Sequence, residues 1–146
     1  MEWKSEYEKL VNSALEGRKN SYSPYSHFAV GAAVLGKTGE IFTGCNIENA
    51  SYPVGICAER VAISKAVSEG VRSFKALAIA GGPDKNPGSD ICEPCGLCRQ
   101  FIREFVPAGF PIILAKVSDE GEIEEKVVYS LEELLPHSFG PDNLKG

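Results

Sequence analysis

Near the start of the chain apolar residues recur every three or four positions, at Trp3, Tyr7, Leu10, Val11, Ala14 and Leu15. That stripe predicts an amphipathic first helix, stopping before Ser21-Tyr22-Ser23-Pro24. The pattern then turns extended: Phe28 to Leu35 and Glu40 to Cys45 read as strands joined by a hairpin at Gly36-Lys37-Thr38-Gly39. Ala58, Val61, Ala62, Ala66 and Val67 suit a helix from Cys57 to Glu69, closed by Gly70. Ala76 to Ala80 is apolar on both faces, as a buried strand is, and a Gly/Pro/Asp-rich stretch from Gly81 to Asp90 reads as a loop. Pro94 stands where a helix can begin, with Cys98, Phe101, Ile102 and Phe105 as its apolar face and Pro107 and Gly109 as its end. Ile112 to Ala115 and Lys126 to Tyr129 predict two more strands, and Leu131 to Leu135 a short last helix.

Alternation of this kind argues for an α/β fold, a mixed five-stranded sheet with helices packed on both faces. With 146 residues, 43% of them hydrophobic and 24% charged, a single domain over 1–146 with its own core is expected. No internal repeat or low-complexity segment interrupts it. No apolar run approaches the ~20 residues that cross a bilayer, and the opening Met-Glu-Trp-Lys-Ser-Glu lacks the apolar stretch of a secretory signal, so no membrane partner and a cytoplasmic location are expected. Net charge is −5 and the basic residues are scattered, which argues against a nucleic-acid partner.

In a reducing compartment, cysteines two residues apart read as metal ligands or redox groups rather than disulfides. Four of the five cysteines fall in Cys57-Ala-Glu59-Arg60 and in Cys92-Glu-Pro94-Cys95-Gly-Leu-Cys98-Arg99. Cys95 and Cys98, three apart in a first helical turn, can face the same way, and Cys57 opens the other helix. A metal in front of two helix N-termini meets free N–H groups and the positive ends of both macrodipoles, which favour thiolate over thiol. A structural zinc needs four protein ligands, whereas a catalytic zinc takes three and keeps a position for water beside a group that moves protons. Glu59, two residues from Cys57, is the candidate for that group. Three thiolates leave the site at −1, so a cation is needed nearby. Arg60 and Arg99 are placed to donate to the ligand sulfurs.

These residues fall within a wider set of segments. Tyr22-Ser-Pro-Tyr-Ser-His-Phe-Ala-Val-Gly-Ala-Ala33, Phe42-Thr-Gly-Cys-Asn-Ile-Glu-Asn-Ala-Ser-Tyr-Pro53, Cys57-Ala-Glu-Arg60, Pro94-Cys-Gly-Leu-Cys-Arg-Gln100 and Leu134-Leu-Pro-His-Ser-Phe-Gly-Pro141 occur in this order. The chain resembles the small, homotetrameric zinc cytidine deaminases over Tyr22 to Pro141. The wider deaminase signature is H-x-E followed by P-C-x-x-C, with His/Cys/Cys or three cysteines on the zinc. Here Cys57 stands at the histidine position.

The resemblance implies a three-layer deaminase sandwich and one Zn²⁺ per subunit on Cys57, Cys95 and Cys98. It implies hydrolytic deamination of cytidine and deoxycytidine in pyrimidine salvage, with hydroxide generated at the zinc attacking C4 and Glu59 shuttling protons to N3 and the departing amino group. Asn46 and Glu48 would bind the ribose hydroxyl, Phe28 would wall the pyrimidine, and the Ala58 N–H would donate to the base carbonyl. Phe139 would be supplied to a neighbouring subunit's pocket, so that sites are complete only in a homotetramer.

Other readings stand beside these. Cys92 could complete a four-cysteine set, giving a closed structural zinc or an iron–sulfur centre. Cytosine within RNA or DNA could replace the free nucleoside as substrate, although an acidic chain this short offers little surface for a strand. Phe28 could be core, Asn46 and Glu48 turn residues, and Glu59 an acid opposing the helix dipole. Cys45 reads as a small buried residue, and His27 and His137 as histidines without a metal role.

Overall fold

A computed structural model describes residues 1–83 and 91–145. Helix α1 spans Glu6–Arg18, followed by strands β1 (Phe28–Gly36) and β2 (Ile41–Cys45). A single 3-10 turn at Tyr52–Val54 leads to helix α2 (Ala58–Ser68) and strand β3 (Phe74–Pro83). Helix α3 (Gly96–Arg103), strands β4 (Pro111–Val117) and β5 (Ile123–Ser130), and helix α4 (Leu131–Leu134) complete the order before a 3-10 turn at Pro141–Leu144.

The five strands form one mixed sheet in the order β2-β1-β3-β4-β5. β3 and β4 run parallel, and the other neighbours are antiparallel. Both faces are covered, which is why β1, β3 and β4 are buried almost along their whole length instead of alternating. On one face Leu10, Val11 and Ala14 of α1 pack on Ala33, Ala78 and Ile113. On the other, Ala62, Ile63 and Ala66 of α2 and Ile102 of α3 pack on Val34, Leu77, Ile79 and Ile112. The expected α/β sandwich is the observed one. No helix among the described residues is long and apolar enough to cross a membrane.

Two details set where the helices lie. A Cβ on Gly44 of β2 would stand 2.5 Å from both the Ala58 carbonyl oxygen and the Ala62 nitrogen, so β2 and the first turn of α2 touch backbone to backbone. At the far end of α1, the Arg18 guanidinium donates to the carbonyls of Ala29, Gly82 and Pro83 at 2.9 to 3.1 Å. This ties the helix to the start of β1 and the end of β3.

The expected loop from 81 to 90 is corrected in part. Gly81, Gly82 and Pro83 continue β3, paired with Val30, Ala29 and Phe28, because long-range pairing overrides the local preference of glycine and proline for turns. Residues 84–90 of that loop lie outside the described ones. The third helix ends at Arg103, ahead of Pro107 and Gly109. Trp3 is exposed and packs edge-on against Tyr7, with Lys126 Nζ 4.7 Å above its ring.

Candidate metal and nucleoside site

Both metal-side helices begin at a cysteine. Cys57 caps α2 and Cys95 caps α3, each with extended backbone and with its carbonyl accepting the first helical bond, from Val61 and Arg99. Serine, aspartate or asparagine usually caps a helix by accepting from its free N–H groups, and neither thiol makes such a bond. The sulfurs turn instead toward one another. Cys57, Cys95 and Cys98 Sγ all lie within 4.8 Å of each other, with Cys57 and Cys95 at 3.7 Å. Sulfurs each about 2.3 Å from a tetrahedral zinc stand about 3.8 Å apart, so this donor set fits that ion in chemistry and in spacing.

The electrostatics are uneven across the three thiols. Cys57 is pulled down to about 5, foremost by the Cys98 thiol donating to it, with Arg60 and Cys95 adding to the effect against burial. Cys98 is raised correspondingly, because its proton is shared with Cys57 and because it is buried. Cys92 is pushed up to about 12 by burial and then by the charges of Glu59, Glu93 and Cys57. It lies outside the three-sulfur group, with its sulfur packed where a Cβ on Gly81 would stand. The four-cysteine alternative therefore has three members together and one apart.

Glu59, the one charged residue in the buried class among those described, is 4% exposed in the first turn of α2. Burial, reinforced by the charge of Cys57, raises its carboxyl to about 7. Arg60 lies three residues after Cys57 on the same helical face, where the sulfurs of Cys57 and Cys98 favour its charge. Burial works against that charge, yet the two sulfurs outweigh it and raise its pKa, while its Nε is buried without a partner. Arg99 is corrected: its guanidinium does not turn to the sulfurs but donates to the carbonyls of Pro94 at 2.7 Å and Leu134 at 2.6 Å. Although Arg99 stands four residues after Cys95, the Leu134 carbonyl at the end of α4 draws its guanidinium that way. Arg99 holds the backbone just ahead of Cys95 rather than the thiolates.

Beside the cluster opens a cavity of about 540 Å³ whose walls include Ser26, Asn46, Glu48, Tyr52, Cys57 and Arg60. The Asn-Ile-Glu-Asn segment reaches it because Ile47 pairs with Ile56 on one side while Asn46 and Glu48 bond Tyr22 on the other. Asn46 behaves as a piece of backbone. Its amide accepts from Val30 N–H at 2.9 Å and donates to the Phe28 carbonyl at 2.7 Å, so it braces the start of β1. Glu48 accepts from the N–H groups of Tyr25 and Ser26, both at 3.0 Å, and from the Ser26 hydroxyl. The Ser26 hydroxyl bond is the largest cause that holds its carboxyl below the usual range.

Phe28, Phe139 and Ala58 complete the expected substrate residues. Phe28 is 39% exposed at the head of β1, Phe139 is 59% exposed near the C-terminus, and neither is among that cavity's walls. Ala58 is buried at the first position of α2, where an N–H has no helical partner. Cys45 is half-buried rather than buried, and its thiol donates to the Asn20 carbonyl. His27 and His137 are exposed, both with positive φ, and outside the sulfur group. Sequence reasoning missed Ser26, although it stands inside the Tyr-Ser-His stretch, and Tyr52, which follows Asn-Ala-Ser directly.

Comparison with known proteins agrees with this geometry. Residues 4–113 match the family model described as the cytidine and deoxycytidylate deaminase zinc-binding region. A cytidine deaminase of Sporosarcina psychrophila is 47% identical over 94% of this chain and 93% of its own length. A probable cytidine deaminase of Dictyostelium discoideum is 41% identical over 95% of this chain and 87% of its own length. The crystal structure of a cytidine deaminase from Burkholderia pseudomallei superposes with a TM-score of 0.77 at 36% identity, covering 91% of this chain and 98% of that one.

Proposed function

We propose that this chain, which belongs to the zinc-dependent cytidine deaminase family, hydrolyses the amino group from cytidine and deoxycytidine to give uridine, deoxyuridine and ammonia. The observation that carries the reading is the buried carboxyl of Glu59 beside three convergent thiols at the head of two helices.

Cys57, Cys95 and Cys98 would hold the zinc, which when bound supplies a Lewis acid that lowers the pKa of water at the site. Glu59 takes the proton from that water and returns protons to N3 and to the leaving amino group. A carboxyl near 7 can do both at neutral pH, where an exposed glutamate could only accept. Arg60 offsets thiolate charge beside Cys57 and Cys98, and Arg99 fixes the Pro94 carbonyl ahead of Cys95. Glu48, kept ionised by its three donors, accepts from the ribose hydroxyl, and Asn46 helps bind the sugar while bracing the backbone of Phe28. Phe28, outside the cavity's walls but tied through its carbonyl to Asn46 on them, would reach the base from the head of β1, and the Ala58 N–H would donate to the base carbonyl.

Tyr52 and Leu97 on the cavity's walls, Val54 two residues after Tyr52 and Phe139 near the C-terminus expose between 59% and 74% of their surface. That supports assembly into a homotetramer in which Phe139 of one subunit closes the cavity of another. Pyrimidine salvage in the cytoplasm is the setting this chemistry suits.

The test is turnover. Purified protein incubated with cytidine is expected to release ammonia, and Glu59→Gln should keep its zinc while losing about 10³-fold in kcat. Full activity in that variant overturns the role of Glu59. No ammonia from the zinc-loaded parent protein overturns the reaction.

A further inference from the structure

The helix that carries Cys95 and Cys98 also grips the C-terminal segment. Arg99 bonds the Leu134 carbonyl, Gln100 Nε2 donates to the Phe139 carbonyl at 2.9 Å, and Arg103 Nε donates to Ser138 Oγ at 2.9 Å. Arg103 Nη2 also reaches Asp142 Oδ2 at 3.4 Å, so the guanidinium straddles Phe139 from both sides along the chain. The guanidinium lies flat against Gly140: a Cβ there would stand 2.4 Å from Arg103 Cζ. A side chain at 140 cannot coexist with Arg103 in this pose. Asp142 is exposed while Arg103 is mostly covered, so the weight of this contact falls on the Ser138 bond and on packing against Gly140 rather than on the ion pair.

Every one of these contacts is to backbone or to the residues flanking Phe139. The phenyl ring itself is left exposed. That is how a side chain is held for use elsewhere: its main chain is fixed and its ring is free.

We propose that Arg103 is a positioning residue for the deaminase reaction, which with Gly140 and Gln100 fixes the main chain of Phe139 on the metal-side helix and so presents its ring to substrate in a neighbouring subunit. The proposal rests on the reading that Phe139 closes a neighbour's cavity. It couples two sites: the helix that supplies two sulfurs to one subunit's metal sets the pose of the aromatic in the next.

A double-mutant cycle on the zinc-loaded oligomer tests it. Phe139→Ala, Arg103→Ala and the double variant are compared by KM and kcat for cytidine, with bound zinc and subunit mass measured for each. Arg103→Ala is expected to raise KM about tenfold with zinc retained, and the double variant to be no worse than Phe139→Ala alone, since Arg103 acts only through that ring. Gly140→Ala, which displaces the guanidinium without removing it, should raise KM in the same way and serves if Arg103→Ala folds poorly. A KM effect in Phe139→Ala but in neither Arg103→Ala nor Gly140→Ala overturns the clamp and leaves the role of Phe139 standing. Additive effects in the cycle also overturn it. Unchanged KM in Phe139→Ala overturns the role of the ring and the clamp with it.

Discussion

Glu59 keeps its proton where an exposed glutamate has lost it, and this makes it a measurable cost to the metal-free fold. Its folded pKa, about 7, lies above the ordinary 4.5. Below 4.5 both folded and unfolded chains hold the proton; as pH rises toward 7 the unfolded chain releases it while the buried carboxyl does not, so stability falls across that window and levels off above it. Cys57, lowered to about 5 from 9, acts in the opposite sense between those values. The comparison to make is therefore between chelated parent protein and chelated Glu59→Gln, in which the cysteine contribution largely cancels. The variant should gain about 3 kcal/mol relative to the parent between pH 4.5 and 7, read from urea midpoints. A gap that stays constant across that range contradicts the buried, protonated carboxyl. At this scale the sequence was a good guide to residue type and a poor one to direction. Arg60 stands three residues after Cys57 and Arg99 four after Cys95, so helical spacing allows either to face a sulfur; what takes Arg99 elsewhere is the pair of carbonyls at Pro94 and Leu134, which nothing in the sequence marks as its partners.

Among the elements, the five strands and the main helices were legible because continuous apolar runs and three-to-four-residue stripes each have few structural solutions. The start of α2 was shifted by one residue and that of α3 by two, since thiols occupy their cap positions where the usual oxygen side chains would mark a boundary. The end of β3 was not legible. Gly81-Gly82-Pro83 has the composition of a turn, and what makes it strand is its partner β1 together with the Arg18 guanidinium that collects its last carbonyls. Arg18→Ala should cost about 2 to 3 kcal/mol, because three carbonyls lose a charged donor at the junction of α1, β1 and β3. Equilibrium unfolding in urea checks this, and an unchanged midpoint shows that the tie is dispensable.

For the molecule as a whole, the single chain holds the sulfur cluster, Glu59 and the cavity together, while Phe139 faces outward. Nothing in a single sequence distinguishes an aromatic meant for its own pocket from one meant for another's; the resemblance alone pointed that way. Co-expressed Glu59→Gln and Phe139→Ala chains separate the cases. Mixed oligomers should be more active than either parent variant, because a chain without a working acid can still lend its ring to a neighbour that has one. Activity no better than the average of the two parents means each subunit works alone.

The bare backbone of Gly44 gives β2 an unexpected reach into the chemistry. Since α2 rests directly on it, one added methyl acts as a wedge that lifts the end of the helix presenting Cys57 while Cys95 and Cys98, seated on α3, stay behind. All three donors survive such a change, yet the grip on the ion opens at one jaw. A deaminase can in this way be disarmed from the middle of a strand that bears none of its reactive groups.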